Sequence, residues 1–475
     1  MNRLSRRAFL GNTVGAAAAT AAFPSFFIHA AGSSPNEVLR MAVAGVKGRG
    51  RDHIAEWLKA KDVQVYGLCD IDGSILDTVT KDVEQKGGKA PRFEKDWRKL
   101  MEDKSIDAVS IATTNHTHTL LSIWALQAGK HVYVEKPCSH NVWEGRRLVE
   151  AARKYKKCVQ HGTQKRSSGG NYSLAAFLQA GKIGKIQVSR GLCYKRRPSI
   201  GKKGEEAVPK GVDYDLWLGP APVRPFTRNR FHYNWHWHWD YGNGDIGNQG
   251  VHEMDVARWM IGKGLPKRVM SVGGRFGYED DGETPNTQIA CYDYGDGQQV
   301  IFEVRGLETP KYMGEGIGNL VHCEKGHVSN NKVIDADGKP VNVDTKASPP
   351  GPGGHFQNFV NAVRANDPKL LNAEILEGHL SAALCHLGNI SYRLGEPVPF
   401  DSKEPAFPGN DAGNETFERM KAHLKENEVN LSGLKYCRGP VLTFDPEKET
   451  FPGNDAACRL LRRDYRAPFV VPENP

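Results

Sequence analysis

The sequence predicts a two-domain α/β chain, a parallel wound sheet followed by an α+β domain on one open sheet. Three observations carry this expectation. Short apolar runs alternate with helix-like segments up to about residue 161, and longer alternating strands take over beyond Gly162. The chain has 475 residues, too many for one core but comfortable for two.

Val38 to Ala44 is an apolar run ending in a Gly-rich turn, and Asp52 to Lys59 reads as a helix. Val63 to Cys69 is a second run, ending on Asp70, and Asp107 to Ala112 is a third. Thr119 to Ala128 is helical and stops at Gly129. His131 to Val134 is a fourth strand, Trp143 to Tyr155 a helix, and Cys158 to His161 begins a fifth strand. Strand, helix, strand at this spacing implies parallel βαβ units with right-handed crossovers.

Beyond Gly162, strands are expected at Ile186 to Tyr194, Val269 to Phe276, Gln288 to Tyr294 and Gln299 to Arg305. Helices are expected at Val251 to Ile261 and Phe356 to Arg364, the latter after a Pro/Gly loop from Ser348 to Gly354. The expected division is 33–162 and 163–400, with 401–475 as a tail. That tail holds a repeat, Phe407-Pro408-Gly409-Asn410-Asp411-Ala412 and Phe451-Pro452-Gly453-Asn454-Asp455-Ala456. Two copies do not make a solenoid; each reads as a turn whose Asn/Asp caps the helix that follows.

Residues 1–32 read as an address. Ser5-Arg6-Arg7-Ala8-Phe9-Leu10 is a twin-arginine pattern, followed by an Ala-rich stretch to Phe27 and small residues at Ala30-Ala31-Gly32. The stretch is too short and too polar for a stable membrane span. Export to the periplasm is expected, with the cofactor loaded before transport.

Hydrophobic residues make up 39% and charged residues 25%, an ordinary globular mix. The net charge of +9 comes without basic runs interleaved with aromatics, so no nucleic-acid partner is expected. The nine cysteines are scattered and never spaced Cys-x-x-Cys, which excludes a disulfide framework or zinc site.

Three loops carry chemistry. Gly45-Val46-Lys47-Gly48-Arg49-Gly50 follows a strand and opens a helix, as a dinucleotide fingerprint requires. Lys47 replaces the middle Gly, so Gly48 takes over the close backbone approach, and Lys47 or Arg49 can add charge near the phosphates. Asp70 ends the second strand, where a carboxylate bonds the ribose 2′-hydroxyl and repels a 2′-phosphate; NAD is favoured over NADP. Thr113-Thr114-Asn115-His116-Thr117-His118 and Glu135-Lys136-Pro137 fall at the C-terminal ends of the third and fourth strands, where ligands bind in open α/β sheets. A partly desolvated lysine there can act as acid or base.

These residues, with Asn248-Gln249-Gly250-Val251-His252-Glu253-Met254-Asp255, resemble the glucose–fructose oxidoreductase / inositol dehydrogenase / rhizopine catabolism (Gfo/Idh/MocA) family. The resemblance implies a Rossmann domain followed by a large open-faced mixed sheet, with substrate bound above the nicotinamide. It implies Lys136 as the catalytic or orienting lysine, Glu135 lining the nicotinamide pocket, and Thr113, Asn115 and His118 in the loop at the nicotinamide ribose. It implies a homo-oligomer, dimer or tetramer. The family pattern Asp-x-Gly-x-His-x-x-Asp keeps His252 and Asp255 but has Asn248 for its first Asp. Asn248 can orient His252 but not stabilise its imidazolium. Either His252 works alone with Lys136, or Asp245 or Asp240 substitutes.

Phe231 to Asp240 is dense in aromatics. Trp235 and His236 suit a sugar-binding platform, with an ordinary packing segment as the alternative. Metal ligation by His236, His238 and Asp240 is the rival use, and it needs a strand to align them. Arg166, Tyr194 and Asp245 are further substrate candidates, beside Gln164, Lys165 and Lys195. The expected activity is NAD-dependent oxidation or reduction of a CH–OH group in a sugar, polyol or glycoside. The alternatives are a redox-neutral NAD-dependent glycosidase and a non-catalytic sugar-binding protein.

Overall fold

A computed structural model describes residues 38–475; the expected export signal lies outside the described residues. Six parallel strands form the first sheet: β1 Leu39–Ala44, β2 Val63–Cys69, β3 Arg92–Glu94, β4 Ala108–Ile111, β5 His131–Val134 and β6 Val159–His161. Their order, β3-β2-β1-β4-β5-β6, is that of a dinucleotide-binding sheet. β4 and β5 are buried at every position, which is why they read as unbroken apolar runs. β3 is a three-residue edge strand, Arg-Phe-Glu, and carries no such signal. The helix after β4, Asn115–Gln127, starts four residues before the apolar periodicity does, so Asn115 and His118 sit in its first turn.

The second sheet has 11 strands among the described residues. They are β7 Ile186–Tyr194, β8 Arg268–Gly274, β9 Thr287–Asp293, β10 Gln299–Arg305, β11 Ile317–Cys323, β12 Gly326–Ser329, β13 Lys332–Asp335, β14 Pro340–Val341, β15 Glu396–Pro399, β16 Lys435–Arg438 and β17 Leu442–Thr443. The sheet is mixed: β7 pairs parallel with β10, and the other pairings are antiparallel. Helices Gly250–Ile261 and Ile375–Arg393 lie against one face, where Met254, Ala290, Tyr292, Phe302 and Leu384 share a core. Helix Asp411–Glu426 lies on the other face, with Phe417, Met420 and Leu424 against Met270, Ile289 and Ile301. No helix of the described residues is long and apolar enough to cross a membrane.

Residues 401–475 are not a separate tail. β16 and β17 pair with β8, and Phe469 and Val471 join the core of the first domain. The repeat explains part of this. Asn410 and Asn454 each accept a helix N-terminal N–H, from Gly413 and Ala457, at 2.9 and 3.0 Å. Gly409 and Gly453 take φ of +70° and +74°, values open to glycine. Phe407 belongs to the buried cluster that holds Ile289 and Cys291, whereas Phe451 belongs to the one that holds Ala290 and Tyr292. Successive residues of β9 point to opposite faces, so the two copies anchor one segment to each face of the same sheet.

Truncating either aromatic leaves a cavity in an otherwise closed core. Phe407→Ala and Phe451→Ala are each expected to lower unfolding free energy by about 3–5 kcal/mol, and additively, because they act on opposite faces. Urea titration of both single variants and the double variant measures this.

Candidate functional site

A cleft of about 790 Å³ runs along the C-terminal ends of β1, β2, β4 and β5 and is closed from above by the second domain. Its size lies within the roughly 300–1,000 Å³ of ligand pockets. The turn after β1 forms its floor. Gly45 has φ +77°, and a Cβ there would meet Ala112 O at 2.5 Å. Gly50 packs helix Arg49–Lys59 onto the strand, where a Cβ would meet Gly45 O at 2.1 Å; it does not itself line the cleft. Gly48, at the helix N-cap, has nothing within 4 Å of its Cβ position. The open space over Gly48 is the cradle a pyrophosphate needs, in front of free helix N–H groups. Asp70 lines the cleft and accepts Val46 N–H at 2.8 Å and Asp72 N–H at 3.1 Å. Each carboxylate oxygen retains capacity for a ribose hydroxyl.

Arg49 does not point to the phosphate space. Its Nε donates to Glu135 at 2.9 Å, and its Nη1 donates to Asp52 at 3.0 Å. Lys47 pairs with Asp72 at 3.4 Å and approaches His232 Nε2 at 3.2 Å, joining the turn to the second domain. Glu135 is buried. Besides Arg49 it meets His53 Nε2 at 2.9 Å and accepts the Lys136 N–H at 3.0 Å. Burial alone would raise its pKa, but the hydrogen bond and charge of His53 and the charge of Arg49 hold it well below the usual carboxylate range.

Lys136 extends into the cleft, and its Nζ donates to Asn248 O at 2.9 Å and Asn248 Oδ1 at 3.3 Å. Asn248 therefore serves Lys136, not His252 as the sequence spacing suggested. An ammonium has three protons, and two are taken, so one remains for a ligand oxygen. Burial lowers the Lys136 pKa; Glu135 opposes this and Arg49 adds to it. His252, in the first turn of Gly250–Ile261, is partly buried in the same cleft, and among the described residues neither of its ring nitrogens has a hydrogen-bond partner. Burial and the Lys136 charge press its pKa well below 6.5, so the ring is neutral.

Neither alternative acid reaches His252. Asp245 is bidentate to Arg197 at 2.7 and 2.8 Å, and Asp240 pairs with Arg224 at 2.9 Å. Asp245 is thus no substrate contact; it aims Arg197, which lines the cleft and donates to Tyr233 Oη at 3.0 Å. Asn248 Nδ2 donates to the same Tyr233 Oη at 3.4 Å. Trp235 and His236 both wall the cleft, their rings stacked at 3.5 Å. They lie in a 3-10 turn, Asn234–Trp237, so no strand aligns His236 with His238 and Asp240. His236 Nδ1 bonds Tyr233 O at 2.6 Å, and His238 Nε2 bonds Asn229 O at 2.9 Å. Trp235 also packs with Phe231 and Tyr241, so platform and packing segment are one structure.

Several expected contacts fall elsewhere. His118 has its ring nitrogens against two backbone carbonyls, Pro137 at 2.7 Å and Thr113 at 3.1 Å; burial lowers its pKa, so the neutral ring donates its one N–H to one of them, and the ring sits between the two loops. Asn115 lines the cleft but commits its amide to Asn243 Oδ1 at 3.1 Å, and Asn243 reaches His140 O at 3.0 Å. Thr113 pairs with the Thr117 hydroxyl at 2.7 Å at the cleft edge. Arg166 is buried against both oxygens of Asp255 at 2.9 and 3.0 Å and against Glu377 at 3.1 Å, outside the cleft. Tyr194 donates to Glu303 at 2.7 Å on the opposite face of the sheet. Strand alternation sends its neighbour Lys195 to the cleft instead, where Nζ donates to Gln249 at 3.1 Å.

Sequence reasoning missed His53, Arg197 and Phe469, and it named Tyr233 only within the aromatic run and Gln249 only within the motif at His252; all but His53 lie on the cleft wall. His53 had a signal: it falls one turn after Arg49 on the same helix face. The others belong to loops whose path no local pattern encodes.

Residues 39–163 match the family description "Oxidoreductase family, NAD-binding Rossmann fold", and residues 185–426 match its "C-terminal alpha/beta domain". The chain is 27% identical over 186 residues to an inositol 2-dehydrogenase of Salmonella typhimurium, covering 38% of this chain and 54% of that protein. It is 32% identical over 129 residues to a glycosyl hydrolase family 109 protein of Bacteroides thetaiotaomicron, covering 26% and 28%. It thus spans about a quarter to a half of the length of these curated relatives. The WlbA dehydrogenase of Bordetella pertussis, solved with NADH and UDP-GlcNAcA, shares the fold with a TM-score of 0.55 at 19% identity, over 75% of this chain and 97% of that one.

An added carboxylate on the Lys136 amine stabilises its charged form. Asn248→Asp is expected to raise the Lys136 pKa by about one unit or more, and the His252 pKa in the same direction. The pH dependence of Lys136 labelling by an amine-selective reagent measures it, with the titration moving to higher pH in the variant.

Proposed function

The chain belongs to the Gfo/Idh/MocA oxidoreductase family, and from that premise we propose that it oxidises or reduces a CH–OH group of a sugar, polyol or glycoside with NAD held in the interdomain cleft. One observation carries the reading: Lys136 keeps a single free N–H beside a neutral, unpartnered His252, at the strand ends next to the phosphate-binding turn.

Gly45, Gly48 and the N-terminus of Arg49–Lys59 would hold the pyrophosphate, and Asp70 the adenosine ribose. The carboxylate of Asp70 disfavours a 2′-phosphate and so favours NAD over NADP. When bound, NAD supplies a hydride acceptor or donor for the reacting carbon. The protein moves the proton. Lys136 donates its remaining N–H to the substrate hydroxyl oxygen, and His252 accepts the hydroxyl proton at a ring nitrogen. Arg197, aimed by Asp245, and Tyr233 are placed to bond other hydroxyls, while Trp235 and His236 present ring faces to C–H surfaces.

The twin-arginine pattern supports a periplasmic setting for this chemistry, in which a retained cofactor would be regenerated in place. Assembly as a dimer or tetramer belongs to the same proposal. A redox-neutral glycosidase is the second reading, favoured by the glycosyl hydrolase family 109 relative. Product analysis separates them: a keto-sugar marks the dehydrogenase, and net aglycone release with unchanged nucleotide absorbance marks the glycosidase.

Mass analysis of the co-purifying nucleotide is expected to find NAD or NADH. Lys136→Met and His252→Gln are each expected to lower turnover about a hundredfold or more while the nucleotide stays bound. Full turnover in either variant, measured on any substrate the native protein converts, would contradict these roles.

A further inference from the structure

The cleft has an apolar end that the proton chemistry does not use. Beyond Asp70 it is lined by Trp97, Leu121, Trp124 and Leu216, and its last wall is Phe469. Phe469 lies some 400 positions along the chain from Asp70, in a segment beyond both stretches that match the family descriptions, 39–163 and 185–426. The ring is 4% exposed, 6.2 Å from the ring of Trp124, with the guanidinium groups of Arg98 and Arg466 at 5.5 and 4.8 Å from its centre.

The segment is fastened on both sides of this wall. Trp143 N–H donates to Leu461 O at 3.0 Å, and Tyr465 Oη donates to Glu144 at 3.0 Å. Arg466 donates to Gly219 O at 3.1 Å and to Asp215 O at 2.8 Å, and pairs with the Asp215 carboxylate at 2.5 Å. Val471 is buried in the core of the first domain, and Arg147 holds Glu473 O at 2.8 Å. The phosphate turn and Asp70 fix the polarity of the cleft: Lys136 stands at one end and the apolar wall at the other. A dinucleotide whose ribose is bonded by Asp70 directs its adenine into that wall.

We propose that the C-terminal segment is part of the cofactor site: Phe469 closes the adenine end of the cleft, so that the dinucleotide is enclosed by the chain itself and exchanges slowly. This rests on the reading of the cleft as a nicotinamide-dinucleotide site. It explains why residues 460–475 return across the molecule to the first domain. It also supplies the cofactor retention that a periplasmic enzyme needs.

The test compares the intact protein with Phe469→Ala, Phe469→Leu and Val471→Ala, the last of which loses core packing without touching the cleft. Binding of ADP-ribose and of nicotinamide mononucleotide is measured for each, with the displacement rate of NAD by excess ADP-ribose. Phe469→Ala is expected to weaken ADP-ribose roughly five- to hundredfold, by the usual worth of an aromatic–base contact, and to speed NAD displacement. Phe469→Leu is expected to do so to a smaller degree. Mononucleotide binding stays unchanged throughout, and Val471→Ala lowers Tm without changing displacement. Unchanged ADP-ribose affinity in Phe469→Ala overturns the proposal and leaves the cleft reading standing. So does equal weakening of both ligands, or an equal effect of Val471→Ala. An intact protein that binds none of the three nucleotides overturns the cleft reading and this proposal with it.

Discussion

The site is organised around one buried carboxylate. Glu135 closes β5, receives Arg49 and His53 from the helix after β1, and bonds the N–H of Lys136. A Cβ on Gly162, just past β6, would come within 3.0 Å of the same carboxylate. Three strand ends thus converge on one anion. A buried carboxylate left with fewer donors costs several kcal/mol, so these contacts act as a unit. The consequence is positional. The glycine turn after β1 and the lysine that extends into the cleft are tied to the same two oxygens, and their separation is fixed before any ligand arrives.

The second domain completes the site by taking up what Lys136 still has to give. Asn248 occupies two of its three donors. An aspartate there would pair with the amine and hold it charged. An amide orients it and leaves its proton easier to lose, which suits acid–base work in a buried site. The departure from the family pattern at Asn248 therefore bears directly on the lysine it bonds and not on His252. The two domains are further joined through Asn115, Asn243 and the His140 carbonyl, which follows Glu135-Lys136-Pro137 in the chain.

Much of this was legible in the sequence. The βαβ alternation gave the wound sheet, because strands buried on both faces read as apolar runs. The turn glycines, Asp70, Glu135, Lys136 and His252 all line or support the cleft as expected. The errors share one cause: sequence position fixes where a backbone goes but not which neighbour claims a side chain. His118 is claimed by two carbonyls, Arg166 by Asp255, Asp245 by Arg197, and Tyr194 by the far face of its strand. Phe469 was invisible because its role depends on a chain segment crossing the whole molecule, and the repeat at Phe407 and Phe451 shows its purpose only when both faces of one sheet are in view.

The central proposal is that the reactive end of a nicotinamide dinucleotide lies beside Lys136 and His252. A crystal structure of the protein with NAD decides this most directly. The expected result is the nicotinamide ring against Lys136 and His252, the pyrophosphate over Gly48 and the adenosine ribose on Asp70. A dinucleotide bound in the reverse sense, or outside this cleft, would contradict it.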